Sequence, residues 1–300
     1  MKKLAPIILF VYNRPRHLEQ SLKALKQNTL AEKSNLFIYS DGSKNDRDKA
    51  DVLAVRKIIQ GISGFNKLEI IERKRSQGLA KSIHYGVTEV LKEYDKVIVL
   101  EDDIISTPDF LTYMNELLEY YQGNEKVFSI SGYTFPIKIP VSYQQDLFFS
   151  HRASSWGWGT WKNRWEKVDW EVSDFNNFIK DKSLTRKFNN GGSDLSKMLK
   201  NLKKGKIDSW AIVWSYTHFK NDGYCVYPVK SRIKNIGTDL SGVHTNRTKQ
   251  FDVDLNVNLK SVKPVAEPYL DKEIMKNFKK FFRKRIFNSI YNKIIKYEKK

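Results

Sequence analysis

Repeatedly in the first half of this chain a short apolar run is followed by a segment whose apolar residues recur at helical spacing, and this alternation limits the possible folds more than any other feature. The runs Ile7 to Tyr12, Leu36 to Ser40, Leu68 to Glu72, Val97 to Leu100 and Val127 to Ile130 have the length and β-branched content of buried strands. Between them, His17 to Gln27 (Leu18, Leu22 and Leu25 on one face), Lys49 to Gln60, Leu79 to Glu93 and Thr107 to Tyr121 read as helices. Parallel neighbours need right-handed crossovers, so the expected class is α/β: an open, mostly parallel sheet with helices on both faces. The last helix is expected to take Ser106 or Thr107 as its cap, with Pro108 at or near the first helical position and Asp109 at the positive end of the dipole.

Ligands in such sheets bind beyond the carboxyl ends of the strands. The polar clusters fall there: Asn13-Arg14 after the first strand, Asp41-Gly42-Ser43 after the second, and Glu101-Asp102-Asp103 after the fourth. Three adjacent carboxylates that follow a buried run repel each other and lose hydration, which calls for a positive partner. In an extended segment Glu101 and Asp103 would point one way and Asp102 the other. Hard cations such as Mg²⁺ or Mn²⁺ suit carboxylates facing phosphates. A Walker B strand reads similarly, but the closest approach to its phosphate-binding partner, Gly78-Leu79-Ala80-Lys81-Ser82, has the wrong spacing and lacks the first glycine.

From about Gln145 the βα rhythm stops, and all seven tryptophans (156, 158, 161, 165, 170, 210 and 214) lie in this part, which reads as an elaboration over the sheet edge. The single cysteine, Cys225, excludes an internal disulfide and a Cys-based zinc site, and packs best as a small apolar residue. The opening M-K-K-L-A-P-I-I-L-F-V-Y reads as a first strand rather than a signal peptide, since its apolar run is short and holds Pro6. No run approaches the roughly 20 apolar residues of a membrane span. The formal charge of +19 favours an anionic partner without saying which.

These residues, F-V-Y-N-R-P, I-Y-S-D-G-S, R-S-Q-G-L-A-K-S, V-L-E-D-D-I-I-S-T-P-D-F, F-S-I-S-G-Y, W-G-W-G-T-W and K-I-D-S-W, together resemble the GT-A nucleotide-sugar glycosyltransferases over about residues 5 to 245. The likeness is to N-acetylglucosaminyltransferase I and to bacterial family 2-like enzymes with a Glu-Asp-Asp motif. The resemblance implies a Rossmann-like GT-A sheet and a nucleotide-sugar donor, more often a UDP-sugar than another. It places Arg14 and Asp41 on the nucleotide, Asp41 beside the base; Asp103 on Mn²⁺ or Mg²⁺; and Glu101 and Asp102 on ribose or sugar hydroxyls. Where the eukaryotic enzyme has a nucleotide-contacting histidine this chain has Ala80, with Lys81 as its substitute. His244 in S-G-V-H-T resembles a late histidine on the metal or diphosphate.

Inverting transfer needs a base for the acceptor hydroxyl, and a carboxylate in an apolar, aromatic setting suits it because desolvation raises basicity. Asp208 in G-K-I-D-S-W-A-I-V-W has such neighbours, and matches the family's catalytic aspartate; by spacing alone it reads as an N-cap. Trp156 and Trp158, interleaved with glycines, are candidate platforms for sugar faces, whereas Trp161, Trp165 and Trp214 read as core. His84 and His218 read as packing or surface residues, and the sequon at Asn246 as accidental.

Residues 271 to 300 hold eleven basic and three acidic residues, with Phe278, Phe282, Ile286, Ile290 and Ile294 four apart. This basic amphipathic helix can lie on an anionic membrane surface or dock on the domain, and both readings stand. The expected organisation is a glycosyltransferase domain over 1–270, with a donor half (1–131) and an acceptor half (132–270), followed by the tail. The expected activity is metal-dependent inverting transfer to a glycan or lipid-linked acceptor in surface polysaccharide synthesis, in the cytoplasm or at the inner face of the cell membrane. A sugar-1-phosphate nucleotidyltransferase lacks its glycine-rich basic loop here. A nucleic-acid-binding role fits poorly with an acidic cleft, so no nucleic-acid partner is expected.

Overall fold

The computed structural model describes residues 3–239, 249–255 and 261–283. In chain order the first half forms β1 (Ile7–Val11), α1 (Pro15–Lys26), β2 (Asn35–Ser40), α2 (Lys49–Gln60), β3 (Lys67–Glu72), α3 (Leu79–Glu93), β4 (Lys96–Glu101), β5 (Ile104–Ser106), α4 (Phe110–Tyr120) and β6 (Val127–Ser131). Then come β7 (Leu147–Ser150), β8 (Trp158–Trp161), α5 (Lys162–Trp165), α6 (Phe175–Lys180), α7 (Lys182–Phe188), α8 (Leu195–Lys203), α9 (Trp210–Lys220), β9 (Tyr224–Pro228), β10 (Ile233–Asn235) and a helix over 272–283.

The main sheet has the order β3-β2-β1-β4-β8-β6-β9-β7, and its first four strands are mutually parallel. The expected mostly parallel α/β sheet is thus present. Register aligns Val11 with Ser40 and Phe10 with Glu101, so the residues that follow β1, β2 and β4 leave the sheet side by side. β5 and β10 form a separate antiparallel ribbon beyond that edge.

Two sequence expectations are corrected. The part after Gln145 is not an edge elaboration, because it supplies β7, β8 and β9, and β8 runs antiparallel between β4 and β6 in the middle of the sheet. Gly159 makes this possible: a Cβ there would lie 2.9 Å from the Val97 carbonyl oxygen and from the Met114 methyl. The alternation of β8 sends Trp158 into the core beneath α3 and α9 and Trp161 into the opposite core, where its indole N–H donates to the Leu118 carbonyl at 2.9 Å. The start of α4 also differs. Ser106 is taken by the β5–β10 ribbon and Thr107 donates to Asp109, so the helix begins at Phe110 after Asp109, with no side-chain cap.

A satellite core of Phe178, Phe188, Leu199 and Tyr216 binds α6 to α9 together. The helix over 272–283 docks on the domain: Ile274, Phe278 and Phe282 are buried with Phe148, Cys225 and Tyr227. Phe282 lies 3.6 Å from the guanidinium of Arg152, which is itself paired with buried Asp194. For these residues the docked reading of the tail applies; 284–300 lie outside the described residues.

Candidate active site

The carboxylate cluster sits where β4 ends. Glu101 is the last strand residue, and Asp102 and Asp103 form the turn into β5, so the side-chain alternation expected of an extended segment stops there. Both aspartates consequently face one cation, Arg14, at the start of α1. Its guanidinium donates to Asp102 through Nη2 and to Asp103 Oδ2 through Nη1, the latter at 2.9 Å. The backbone holds this arrangement: Tyr12 N–H donates to Asp102 Oδ2, Ser21 Oγ to the Asp102 carbonyl, and Ile236 N–H to the Asp103 carbonyl.

Charge is unevenly balanced in this cluster. Burial raises the Glu101 carboxyl well above the usual carboxylate range, helped by Asp103 and opposed by Arg14. Burial likewise raises Asp102, to about 6, although Arg14 pulls it down. The Arg14 guanidinium is itself moved up: burial alone would lower it, but Asp102, Asp103 and Glu101 outweigh that. One group lacks a partner: Asp103 Oδ1 is shielded from solvent and makes no hydrogen bond. No cluster of three or more metal-ligating side chains occurs among the described residues. The carboxylates at this edge suit a hard cation that takes one or two of them and completes its shell elsewhere.

Asp41, after β2, is buried and fully used. Its carboxylate accepts from the N–H groups of Gln77 and Gly78, from Ser76 Oγ at 2.9 Å and from Gly42 N–H at 3.0 Å, which orders the turn that opens α3. Gly78 holds this turn at φ +80°, and a Cβ there would lie 3.9 Å from Asp208 Oδ2. Asp208 is thus brought to the same sheet edge as Asp41 by one shared turn. It is exposed rather than enclosed by aromatic rings, and it is not the cap of α9, since Ser209 occupies that position. Its place at the end of the α8–α9 loop, ahead of the buried Trp210, explains both.

The two candidate platforms separate. Trp158 is fully buried, stacked on Trp210 at 5.1 Å and close to Trp165 and Trp214, so its ring is core and offers no face to a ligand. Trp156 is half-buried, edge-on to Tyr133 at 4.7 Å. Lys81 is exposed on the outer face of α3, where it lines a groove with Gln77 and Tyr85. His244 lies outside the described residues. Trp161, Trp165 and Trp214 are buried, as are Cys225 and His218.

Sequence reasoning missed two contributors. Gly237 approaches so closely that a Cβ would lie 2.1 Å from Asp103 Oδ2 and 2.6 Å from Arg14 Nη1. Asp48 accepts from Tyr12 Oη at 2.7 Å and from Asn13 Nδ2, tying the β1 exit to the start of α2. Neither carries a local signature; a lone glycine and a lone aspartate gain meaning only from what the fold sets beside them.

Among solved structures the chain is similar to a mannosyltransferase of Pyrobaculum calidifontis, PcManGT, in complex with GDP-Man and Mn²⁺ (15% identity, 43% of this chain, 35% of that chain, TM-score 0.30). It is also similar to S. aureus TarS (9% identity, 78% of this chain, 37% of that chain, TM-score 0.42) and to mouse xyloside xylosyltransferase 1 in its apo form (10% identity, 71% and 80%, TM-score 0.36). The chain thus spans little more than a third of the length of the first two. No curated protein sequence matches it. The family described as glycosyl transferase family 2 matches residues 7–184, more than half of the chain, including the strand ends that carry Arg14, Asp41 and the three carboxylates, and with its mostly parallel GT-A sheet the chain belongs to that family.

Proposed function

We propose that this chain transfers a sugar from a nucleotide sugar, in the first instance a UDP-sugar, to a hydroxyl of a glycan or lipid-linked acceptor with inversion at the anomeric carbon. The observation that carries this reading is the divided Asp103 carboxylate at the carboxyl edge of a parallel sheet: one oxygen on Arg14, the other buried and unpartnered. An unpaired buried carboxylate oxygen is costly unless something positive completes it. Mn²⁺ or Mg²⁺ bound there would offset the charge of the departing diphosphate.

The chain's own residues divide the remaining work. Asp103 would hold the cation, with His244 as a further ligand. Arg14 keeps Asp102 and Asp103 in place and would contact the nucleotide. Asp41 orders the 76–78 turn and sits beside the base. Glu101 and Asp102 accept from ribose or sugar hydroxyls, and Trp156 offers a partly open ring to a sugar face. Asp208 takes the acceptor's proton as its oxygen bonds to the anomeric carbon and the bond from that carbon to the diphosphate breaks. Residues 1–131 form the donor half of a 1–270 catalytic unit and 132–270 the acceptor half. The product would be a hexosylated or N-acetylhexosaminylated glycoconjugate. The basic residues 284–300 would favour an anionic membrane surface on the cytoplasmic side, where lipid-linked acceptors reside.

Calorimetry with UDP and Mn²⁺ tests the reading. Asp103→Ala should weaken Mn²⁺-dependent UDP binding about ten-fold or more, the loss of one charge-assisted contact. Asp208→Asn should bind UDP as the parent does and lose transfer. Unchanged Mn²⁺ uptake and nucleotide affinity in Asp103→Ala would refute the metal role, and near-normal turnover of Asp208→Asn would refute the base.

A further inference from the structure

The Asp208 carboxylate stands where two cation-rich loops meet. The turn from β3 into α3 carries Arg73, Lys74 and Arg75, the first turn of α3 adds Lys81, and no acidic residue falls from Arg73 to Ser82. The turn from α8 to α9 carries Lys203, Lys204 and Lys206, with none from Lys203 to Ile207. The two loops are neighbours at Gly78, where a Cβ would lie 3.9 Å from Asp208 Oδ2. Lys74, Arg75, Lys81, Lys204 and Lys206 are exposed, and among the described residues none of them forms an ion pair. Some other cations are paired, as in Arg56–Glu72, Lys96–Glu119 and Arg152–Asp194. Exposed like charges carried by adjoining loops repel one another, so this surface is electrostatically suited to an anion.

A groove of about 290 Å³, lined by Gln77, Lys81, His84, Tyr85, Thr88 and Glu89, lies along the solvent face of α3 and reaches Gln77, the chain neighbour of Gly78. The Tyr85 ring is half exposed, and the Arg73 guanidinium lies 4.6 Å from its centre. Arg73 donates to Gln77, and its Nε and Nη2 are shielded from solvent and have no hydrogen-bond partner. A flat ring for the C–H face of a sugar, with guanidinium and ammonium groups at its rim for negative charge, is the chemistry of a charged saccharide rather than of a neutral one.

We propose that this groove receives the acceptor and that the acceptor is an anionic glycan, with phosphodiester or carboxylate groups in its repeat, whose terminal hydroxyl lies at Asp208 and whose body runs over Tyr85. This rests on the reading of Asp208 as the base.

Affinity electrophoresis in gels containing polygalacturonate, poly(glycerol phosphate), polyaspartate or neutral dextran tests it, with UDP and Mn²⁺ binding measured on the same samples. The full chain should be retarded by polygalacturonate or poly(glycerol phosphate), which distinguishes carboxylate from phosphodiester, and not by dextran. The triple variant Lys81→Gln, Lys204→Gln, Lys206→Gln should bind that polymer about ten-fold more weakly, as three lost surface ion pairs imply. Tyr85→Ala should also weaken it, and a variant with equal charge change on α6 and α7 (Lys180→Gln, Lys182→Gln, Lys187→Gln) should not. Equal loss in both triple variants, or equal retardation by polyaspartate, makes the effect a general field and overturns the proposal. Loss of UDP binding with glycan binding intact assigns these cations to the donor and overturns it too. Glycan binding without any UDP binding by the parent chain leaves the groove standing and removes the glycosyltransfer reading.

Discussion

Arg14 is the residue on which the site turns. Three carboxylates share one guanidinium, and the fold leaves Asp103 Oδ1 without a donor. The sequence expectation that the acidic run needs a positive partner is met in part by a side chain 87 to 89 positions earlier, whose single positive charge pairs with two of the three carboxylates. Gly237 closes the other side. Gly237→Ala would push a methyl into Asp103 Oδ2, so Mn²⁺-dependent UDP affinity should fall about ten-fold by calorimetry, and urea unfolding should show a stability loss of about 1–3 kcal/mol. The acidic run was legible because its members are consecutive. Gly237 was not, because its meaning lies wholly in a contact across 134 positions.

At the scale of elements, β8 is the informative case. W-G-W-G-T-W reads as a ligand surface because aromatic rings and glycines suit sugars, but in the sheet the same alternation buries one tryptophan on each face. Trp158→Ala should therefore cost about 3–5 kcal/mol in urea unfolding through the cavity it leaves, far more than removal of a surface platform. A loss under roughly 1 kcal/mol would show that the ring is not core. The early βα units were legible because each strand and helix declares its period locally; α2 and α3 begin and end where the spacing puts them. β5, β7 and β10 were not, because runs of three or four residues become strands only when a partner arrives from far along the chain.

Over the whole molecule, a buried histidine makes stability depend on acid. His218 Nδ1 lies 2.8 Å from the Trp214 carbonyl and so donates to it, which leaves Nε2 to accept from Ser129 Oγ; this neutral form is held by burial, which moves the group down to about 3. Above pH 6.5 both states are neutral and nothing is lost. As pH falls below that value the unfolded chain takes a proton the native state refuses, at ~1.4 kcal/mol per unit, until about pH 3. Glu101 and Asp102, with raised native values, act in the opposite sense, so the comparison that isolates His218 is with His218→Gln. The parent should lose about 2 kcal/mol more than the variant between pH 7 and pH 5 in urea unfolding, and identical slopes would count against a buried neutral imidazole. The helix over 272–283 shows the same dependence on the assembled molecule: its apolar stripe suits a bilayer as well as a protein face, and Ile274, Phe278 and Phe282 meet a protein face. Sequence alone determined the α/β class, the mostly parallel sheet and the acidic edge, because hydrophobic period and neighbouring charges act over a few residues. Only the tertiary structure decided that Arg14 clamps the aspartates, that Trp158 is core and that Asp208 meets the turn ordered by Asp41, because those contacts join segments whose approach no local pattern encodes.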